Sequence, residues 1–222
     1  MNVNIETIVV GNSRTNCYII WDEDEVVVID PGDDGPKINK VIKSHIKEPI
    51  VKILVTNGLA GSIGAIPYLL EKYTKAEVFA GRAENLFLFD SNANLSIHMG
   101  INIDLTHYSS NIKNIASGDE VSAGKYHFRV METPGISPGS VIYILDDEEI
   151  VFTGMTIMKG IVGPTCFPYG DAGKLYTSIK ERILVLPKNF AIYPGYGPKS
   201  KISEEASTNP YVLTMQKSEN EM

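Results

Sequence analysis

The sequence is poor in the residues that most often build reactive or cross-linked sites. It has four histidines, two cysteines and one tryptophan among 222 residues. Cys17 and Cys166 lie far apart in the chain, and each has apolar or aromatic neighbours. We therefore predict two reduced, buried thiols, which excludes the disulfide framework that holds small secreted domains together.

Long apolar runs and clusters of positive charge are also missing. No stretch approaches the roughly 20 apolar residues that span a bilayer, and the first residues have neither the basic segment nor the apolar core of a signal peptide. The net charge is −7 and the pI about 5.1, and no run is rich in lysine or arginine. We expect a cytoplasmic protein that binds neither nucleic acid nor membranes, and whose partner is a small molecule or a protein.

The composition, 43 % hydrophobic and 21 % charged, is that of a globular protein with one sizeable core. No segment resembles a linker, so we predict a single domain over residues 1–222. The hydrophobic pattern predicts strands, a helix, a strand and a helix, and then repeats that order. Such a pattern indicates an α/β fold in which two sheets pack together and helices lie outside. Strands are predicted at 5–10, 16–21, 25–30, 51–55, 77–80, 126–132, 141–145, 150–153 and 191–193, and helices at 37–46, 63–73, 83–89, 171–184 and 203–207.

The turn at residues 55–62, V-T-N-G-L-A-G-S, is the feature around which the chain is organised. It joins a short apolar run, predicted as a strand, to a stretch with helical spacing, and most of its side chains are small. Turns of this kind at the carboxyl ends of strands are where α/β proteins place ligands. We predict a site here, although few residues of the turn can do chemistry.

Six short motifs occur in a fixed order along the chain. They are N-C-Y-I-I at 16–20, V-I-D-P-G-D at 28–33, T-P-G-I-S-P-G-S at 133–140, F-T-G at 152–154, P-G-Y-G-P at 194–198 and E-E-A-S-T-N-P-Y at 204–211. Together they resemble the metallo-β-lactamase superfamily, and in particular its short glyoxalase II-like members. The resemblance implies a four-layer αββα sandwich with two pseudo-symmetric halves.

The superfamily binds one or two metal ions through T-H-x-H-x-D-H, a histidine of T-P-G-H-S, an aspartate of T-G-D-T and a histidine of P-G-H-G-P. The seven corresponding positions of this chain hold no histidine and no aspartate; they are Asn57, Leu59, Gly61, Ser62, Ile136, Met155 and Tyr196. A catalytic zinc needs about three imidazole, carboxylate or thiolate ligands, and without the ion water is not activated at neutral pH. The substitutions therefore predict no metal, no other cofactor and no hydrolysis by the mechanism of the superfamily.

The replacements are also consistent with one another as a set. Carboxylates left without their cation would be costly buried charges, whereas Leu59, Ile136 and Met155 would fill the former site with apolar atoms. We therefore expect a pseudoenzyme, that is, a binding or regulatory protein that uses the residual pocket or its surface. Varied replacements, rather than uniform alanine, favour natural loss over alteration in the laboratory.

An alternative interpretation keeps the chain an ester or thioester hydrolase whose chemistry is metal-independent and centred on Cys166 or Tyr196. Cys166 and Phe167 belong to a loop that lies near the site in the superfamily. A nucleophilic cysteine needs a base, and the two candidates, His98 and His107, lie in the polar segment 90–114, which is predicted as a long loop with short pieces of structure.

Two further sets of residues each have two interpretations. Tyr196, Asn57 and Ser62 either hydrogen-bond a small ligand or form hydrogen bonds only with one another in a closed cavity. Aromatic residues of the predicted helices either belong to the core or form a homodimer interface; they are Tyr68, Tyr73, Phe87 and Phe89.

Overall fold

The computed structural model describes residues 3–214 and contains two six-stranded sheets, a two-stranded ribbon and short helices. The strands are β1 (Ile5–Val10), β2 (Thr15–Asp22), β3 (Glu25–Ile29), β4 (Ile50–Leu54), β5 (Glu77–Gly81), β6 (Ile112–Ile115), β7 (Glu120–Ala123), β8 (Tyr126–Glu132), β9 (Val141–Leu145), β10 (Ile150–Gly154), β11 (Ile157–Met158), β12 (Ile161–Val162), β13 (Ala191–Pro194) and β14 (Ser200–Lys201). The α-helices are α1 (Gly35–His45), α2 (Ala60–Ile63), α3 (Ile66–Lys72), α4 (Asn85–Phe89), α5 (Ala172–Ser178) and α6 (Ile202–Thr208). Short 3₁₀ turns occur at Arg82–Glu84, Ser96–Met99, Thr106–Asn111 and Asp146–Glu148, and α5 continues as a π-helical turn at Ile179–Ile183.

The first sheet has the strand order β1-β2-β3-β4-β5-β6, and the second has the order β14-β13-β10-β9-β8-β7. The first three strands are antiparallel hairpins, and β3 to β6 then run parallel. In the second sheet β10 and β13 are parallel. The carboxyl ends of parallel strands meet at one edge of a sheet, and this is where the loops of the site lie.

Alternation of side chains along the strands produces three apolar layers. On β2, Tyr18 and Ile20 face the opposite sheet, whereas Cys17 and Ile19 face the helices. The layer between the sheets contains Val27, Leu54, Phe128, Tyr143 and Phe152 among others. One outer layer covers the first sheet with α1 and α3, and the other covers the second sheet with α5 and α6. The order helix, sheet, sheet, helix follows, and the predicted α/β class with two packed sheets and outer helices is confirmed.

The two sheets are joined by hydrogen bonds at the edge where the site lies. The Tyr143 hydroxyl, on β9, donates to the carbonyl oxygens of Val55 and Phe79, both at 3.0 Å. The backbone N–H of Val141 donates to the carbonyl of Thr56 at 2.8 Å. The turn after β4 is therefore attached to both sheets.

Some boundaries differ from the sequence-based prediction. The helix predicted at 63–73 is broken between α2 and α3, where the N–H of Ala65 donates to the carbonyl of Pro31 at 2.8 Å instead of continuing a helix. Strands β6 and β7 were not predicted, because β6 lies in a polar segment and β7 is short. The helix predicted at 171–184 begins with an N-cap at Asp171, whose side chain accepts from the N–H of Lys174 at 3.0 Å.

No helix within residues 3–214 is long and apolar enough to cross a lipid bilayer. The cysteines differ from the prediction that both thiols are buried. Cys17 is buried between β2 and α1, but Cys166 is exposed, because it lies at the surface of the loop between β12 and α5.

Candidate functional site

The turn after β4 is held by its own polar side chains. The Asn57 side-chain oxygen accepts from the N–H of Leu59 at 3.2 Å and from the Ser62 hydroxyl at 3.4 Å. Its amide nitrogen donates to the Thr56 hydroxyl at 3.1 Å. Asn57 and Ser62 are almost completely buried. Their polar groups therefore stabilise the turn itself.

Asp30 attaches the same turn to the end of β3. Its carboxylate accepts from the N–H of Thr56 at 2.8 Å and from the Thr56 hydroxyl at 2.7 Å. Burial raises the pKa of the Asp30 carboxyl to about 7, although the two bonds from Thr56 oppose this shift. The site thus contains a buried carboxyl group that binds a proton more tightly than it does in the unfolded chain.

This proton should make stability depend on pH in a defined direction. The folded pKa of Asp30 is about 7, above the value of about 3.9 for a free side chain, so the folded state keeps a proton that the unfolded state releases. The free energy of unfolding should therefore fall as the pH rises from about 4 to about 7. Asp30→Asn imitates the neutral form, and we expect its urea midpoint to fall less between about pH 5 and pH 8. The control Asp147→Asn, at an exposed position, should keep the slope of the unmodified protein; equal slopes in all three proteins would contradict the prediction.

A second buried carboxylate, Glu84, joins this turn to the turn at residues 133–140. One oxygen accepts from the N–H of Gly58, and the other accepts from the N–H of Gly139 at 2.8 Å. Burial raises the pKa of Glu84, while hydrogen bonds from Ser137 and the two backbone N–H groups lower it. Two loops that carry superfamily ligand positions are therefore linked through one side chain.

The turn at residues 194–198 is attached to β2 and positions Tyr196. The Asn16 side chain donates to the carbonyl oxygens of Pro194 and Gly197, at 2.9 and 2.8 Å. The Tyr18 hydroxyl also donates to Pro194, at 2.6 Å. The Tyr196 ring is thereby placed over the first turn of α2.

Tyr196 and Gly61 occupy complementary space. A Cβ atom built on Gly61 would lie 2.8 Å from the Tyr196 hydroxyl, which is closer than real Cβ contacts allow. The Thr15 hydroxyl donates to the Gly61 carbonyl at 2.6 Å and lies 3.2 Å from the Tyr196 hydroxyl. Thr15 has a single proton, so the phenol of Tyr196 is the donor toward Thr15 or toward a ligand. Burial, and then the charge of Asp30, raise the pKa of Tyr196, which keeps the phenol neutral.

These loops enclose a pocket of about 250 Å³. Its lining residues are Ser13, Leu59, Ala60, Gly61, Asn94, Leu95, His98, Met99, Met155, Phe167 and Tyr196. The lining is mainly apolar, with hydroxyl groups on one side and an imidazole at the mouth. Within residues 3–214, no lysine or arginine lines it.

The structure brings some of the sequence-predicted residues together and separates others. Four of the seven superfamily positions line the pocket, namely Leu59, Gly61, Met155 and Tyr196, and so does Phe167. Asn57, Ser62 and Ile136 are buried and are not among its lining residues, and Ile136 belongs to the apolar layer under α5. Cys166 is exposed and does not line the pocket.

Residues of the segment 90–114 form one wall of the pocket, and the sequence patterns identified only His98 among them. Asn94 organises this wall, because its side chain donates to the carbonyl oxygens of Phe87 and Ile103, at 2.8 and 2.9 Å. Its own carbonyl accepts from the N–H of Ala60 at 2.9 Å. His107 is exposed and does not line the pocket. The one available signal was the Asn-rich composition, which is typical of side chains that cap turns.

The donor groups at the superfamily positions do not fit a hydrolytic metal centre. Of these positions, those that line the pocket offer one thioether, from Met155, and one neutral phenol, from Tyr196. Zinc sites use about three imidazole, carboxylate or thiolate ligands, and a thioether suits a softer ion. Within residues 3–214 no group of three or more histidine, cysteine, aspartate or glutamate side chains is arranged to hold a metal ion.

Comparison with known proteins gives consistent matches over most of the chain. The family model for the metallo-beta-lactamase superfamily matches residues 10–195. A probable metallo-hydrolase of Bacillus subtilis, YqgX, is 33 % identical over 204 residues, which are 91 % of this chain and 94 % of that protein. The hydroxyacylglutathione hydrolase GloC of Haemophilus influenzae is 28 % identical over 212 residues, which are 95 % of this chain and 98 % of that protein. The crystal structure of the BLEG-1 B3 metallo-beta-lactamase superposes with a TM-score of 0.84 at 28 % identity, covering 94 % of this chain and 99 % of that one.

These relatives correct one prediction made from the sequence. The substitutions at seven positions led us to expect that the chain is not an enzyme, and that expectation is contradicted because relatives along nearly its whole length are named hydrolases. The error was to infer the absence of all catalysis from the loss of one ligand set. With its glyoxalase II-like homologues and a family match over residues 10–195, the chain belongs to the metallo-beta-lactamase superfamily.

Proposed function

We propose that the chain is a hydrolase-like member of the superfamily that binds a small, uncharged ester or thioester in the pocket of Tyr196. The acyl group packs against Leu59, Met155 and Phe167, and its carbonyl oxygen accepts a hydrogen bond from the Tyr196 phenol. The observation that carries the proposal is a mainly apolar pocket with one neutral phenol donor at the strand ends. Two relatives are named as hydrolases, and this supports the proposed reaction class.

The size of the pocket limits the ligand. Its volume of about 250 Å³ is slightly below the range of about 300–1,000 Å³ that is typical of sites for drug-sized molecules. An acyl group and the reacting carbonyl therefore fill it, and the remainder of a larger ligand extends through the mouth. The apolar walls lower the local dielectric constant around the carbonyl oxygen, which strengthens a hydrogen bond from the phenol.

The proposed chemistry uses the groups of the pocket and no metal ion. The imidazole of His98, at the mouth, takes a proton from a water molecule, and the resulting hydroxide oxygen attacks the carbonyl carbon. The Tyr196 phenol donates to the oxygen on which negative charge develops. The carbon–oxygen or carbon–sulfur bond to the leaving group then breaks, and the leaving group receives the proton from His98. Each step thus conserves protons and charge within the pocket.

Removing the phenol should test this role directly. We expect Tyr196→Phe to lower kcat for p-nitrophenyl acetate by about a hundredfold, which is the effect of losing one donor to a developing oxyanion. KM should change little, because the ring stays in place. The measurement is steady-state release of p-nitrophenol in the presence of a chelator. Equal kcat values for the two proteins would contradict the proposal, and so would turnover that chelator abolishes and added zinc restores.

Two pairs of variants separate the site from surface reactivity. His98→Gln should lower turnover, whereas His107→Gln changes an exposed histidine outside the pocket and should have no effect. Ser13→Trp should block the pocket, whereas Asn12→Trp, at the exposed neighbouring position, should not. If both members of a pair behave alike, the reaction does not take place in this pocket. A reaction centred on Cys166 is not favoured, because that thiol is exposed outside the lining.

A further inference from the structure

A group of half-exposed apolar side chains lies beside the mouth of the pocket. Ile97, Met99 and Ile101 are 49 %, 48 % and 46 % exposed. Met99 is also a lining residue of the pocket, and Ile97 and Ile101 lie two residues before and two residues after it in the chain. We call these three residues the mouth ridge. Exposed apolar side chains next to a ligand pocket are typical of binding sites.

The mouth ridge is held in place by buried hydrogen bonds. The Asn94 side-chain oxygen accepts from the N–H of Ser96 at 2.9 Å, and the Ser96 hydroxyl accepts from the N–H of Ile103 at 3.1 Å. The N–H of Ile101 donates to the carbonyl of Ser96 at 3.2 Å, which closes the turn. Asn94 and Ser96 are completely buried. The apolar side chains are therefore presented to solvent by a well-anchored turn.

The charge of the lining residues limits which ligands can bind in the pocket and on the mouth ridge. Among the lining residues that the structure describes there is no lysine or arginine, and His98 is the only one that can carry a positive charge. A ligand with several carboxylates or phosphates would leave those charges without a cationic partner. A straight hydrocarbon chain needs none, and it gains free energy for each methylene removed from water.

We propose that the mouth ridge binds the distal part of a medium-length fatty acyl chain whose carbonyl end lies in the pocket. The proposal rests on the function proposed above and adds the substrate class, a neutral fatty acyl ester or thioester. It also distinguishes this chain from its relative GloC, which is named for a glutathione conjugate. The occupant is a ligand chain rather than a second protein, because Met99 belongs both to the ridge and to the lining of a pocket of about 250 Å³, which holds part of a small molecule.

The test is a chain-length series of methyl esters, from methyl butanoate through methyl hexanoate and methyl octanoate to methyl decanoate. Affinity is measured by titration calorimetry in the Tyr196→Phe background, whose slow turnover leaves the esters intact, and below the solubility limit of each ester. Each added methylene that reaches the half-exposed ridge should tighten binding by about twofold, somewhat less than full burial would give. From butanoate to octanoate, which adds four methylenes, the gain should be about sixteenfold.

The double variant Ile97→Ser with Ile101→Ser should remove the gain with chain length. The matched control is Val185→Ser, which changes an aliphatic residue that is 67 % exposed outside the pocket lining, and which should keep the full gain. If short esters bind but length has no effect, this inference fails while the proposed function stands. If no ester binds, the proposed function itself fails.

Two further outcomes would also overturn the inference. A gain with length that the double variant retains would indicate non-specific adsorption. Light scattering that shows a dimer of the unmodified protein and a monomer of the double variant, with no change in ester binding, would make the ridge an interface between copies of the chain.

Discussion

Glu84→Ala should lower the free energy of unfolding by about 3 kcal/mol or more, because it leaves two buried backbone N–H groups without an acceptor at about 1–3 kcal/mol each. These are the N–H groups of Gly58 and Gly139, on two different loops. The side chain is completely buried, so water does not replace its oxygens. The measurement is urea unfolding at neutral pH, followed by circular dichroism.

Two further variants define the cause of this loss. Glu84→Gln keeps one acceptor oxygen and places an NH₂ group against the other N–H, so its loss should be intermediate. Glu120→Ala removes an exposed glutamate whose partner is His127 on the surface, and its effect should stay within about 0.5 kcal/mol. If Glu84→Ala unfolded at the same urea concentration as the unmodified protein, the two loops would not depend on this carboxylate.

Gly32→Ala should have an effect at least as large, through steric overlap rather than a lost hydrogen bond. A Cβ atom on Gly32 would lie 1.8 Å from the carbonyl oxygen of Gly61 and 2.8 Å from its carbonyl carbon. Both are backbone atoms at the start of α2, so no side chain can move aside. We expect a loss of about 3 kcal/mol or more, at or above the upper range for overpacked sites. Because Gly61 lines the pocket, ester binding should be lost as well.

Gly173→Ala is the matched control because the same substitution should raise the free energy of unfolding at that position. Gly173 lies in α5, and an added Cβ would meet its nearest atom, an oxygen of Asp171, at an ordinary 3.4 Å. Replacing glycine by alanine inside a helix usually stabilises it by about 0.5–1 kcal/mol. Thermal melts of both variants test the pair. Similar melting temperatures for Gly32→Ala and Gly173→Ala would contradict the close approach of the two turns.

The layered fold could be predicted from the sequence because the hydrophobic pattern of the strands is strong. After its first residue the run at β3, E-V-V-V-I, is continuously apolar, and this indicates a strand covered on both faces. The break in the helix after residue 63 could not be predicted from the sequence, because it depends on a hydrogen bond from the N–H of Ala65 to the carbonyl of Pro31, in another loop. Strand β6 was hidden for a similar reason, since its pairing with β5 is set by the sheet and not by its own polar sequence.

The candidate site was predictable only in part, because motifs identify positions but not their orientation. The seven superfamily positions were found by resemblance, and nothing in their identities distinguished Leu59, which lines the pocket, from Ile136, which does not. The wall built on Asn94 was missed because it depends on buried hydrogen bonds from the Asn94 side chain to the carbonyl oxygens of Phe87 and Ile103, and hydrophobic periodicity does not indicate such bonds. The position of Tyr196 over Gly61 was also missed, since the two residues are far apart in the chain.

The shared space of Tyr196 and Gly61 restricts the order in which this sequence can change. An acidic side chain at position 61 would collide with the phenol, whose oxygen lies 2.8 Å from the point where a Cβ would begin. The phenol oxygen is the end of a side chain, so an acidic residue at position 61 requires the Tyr196 side chain to move away from Thr15. The effect of an acidic residue at position 61 should therefore depend on which residue occupies position 196, so the two positions should show epistasis.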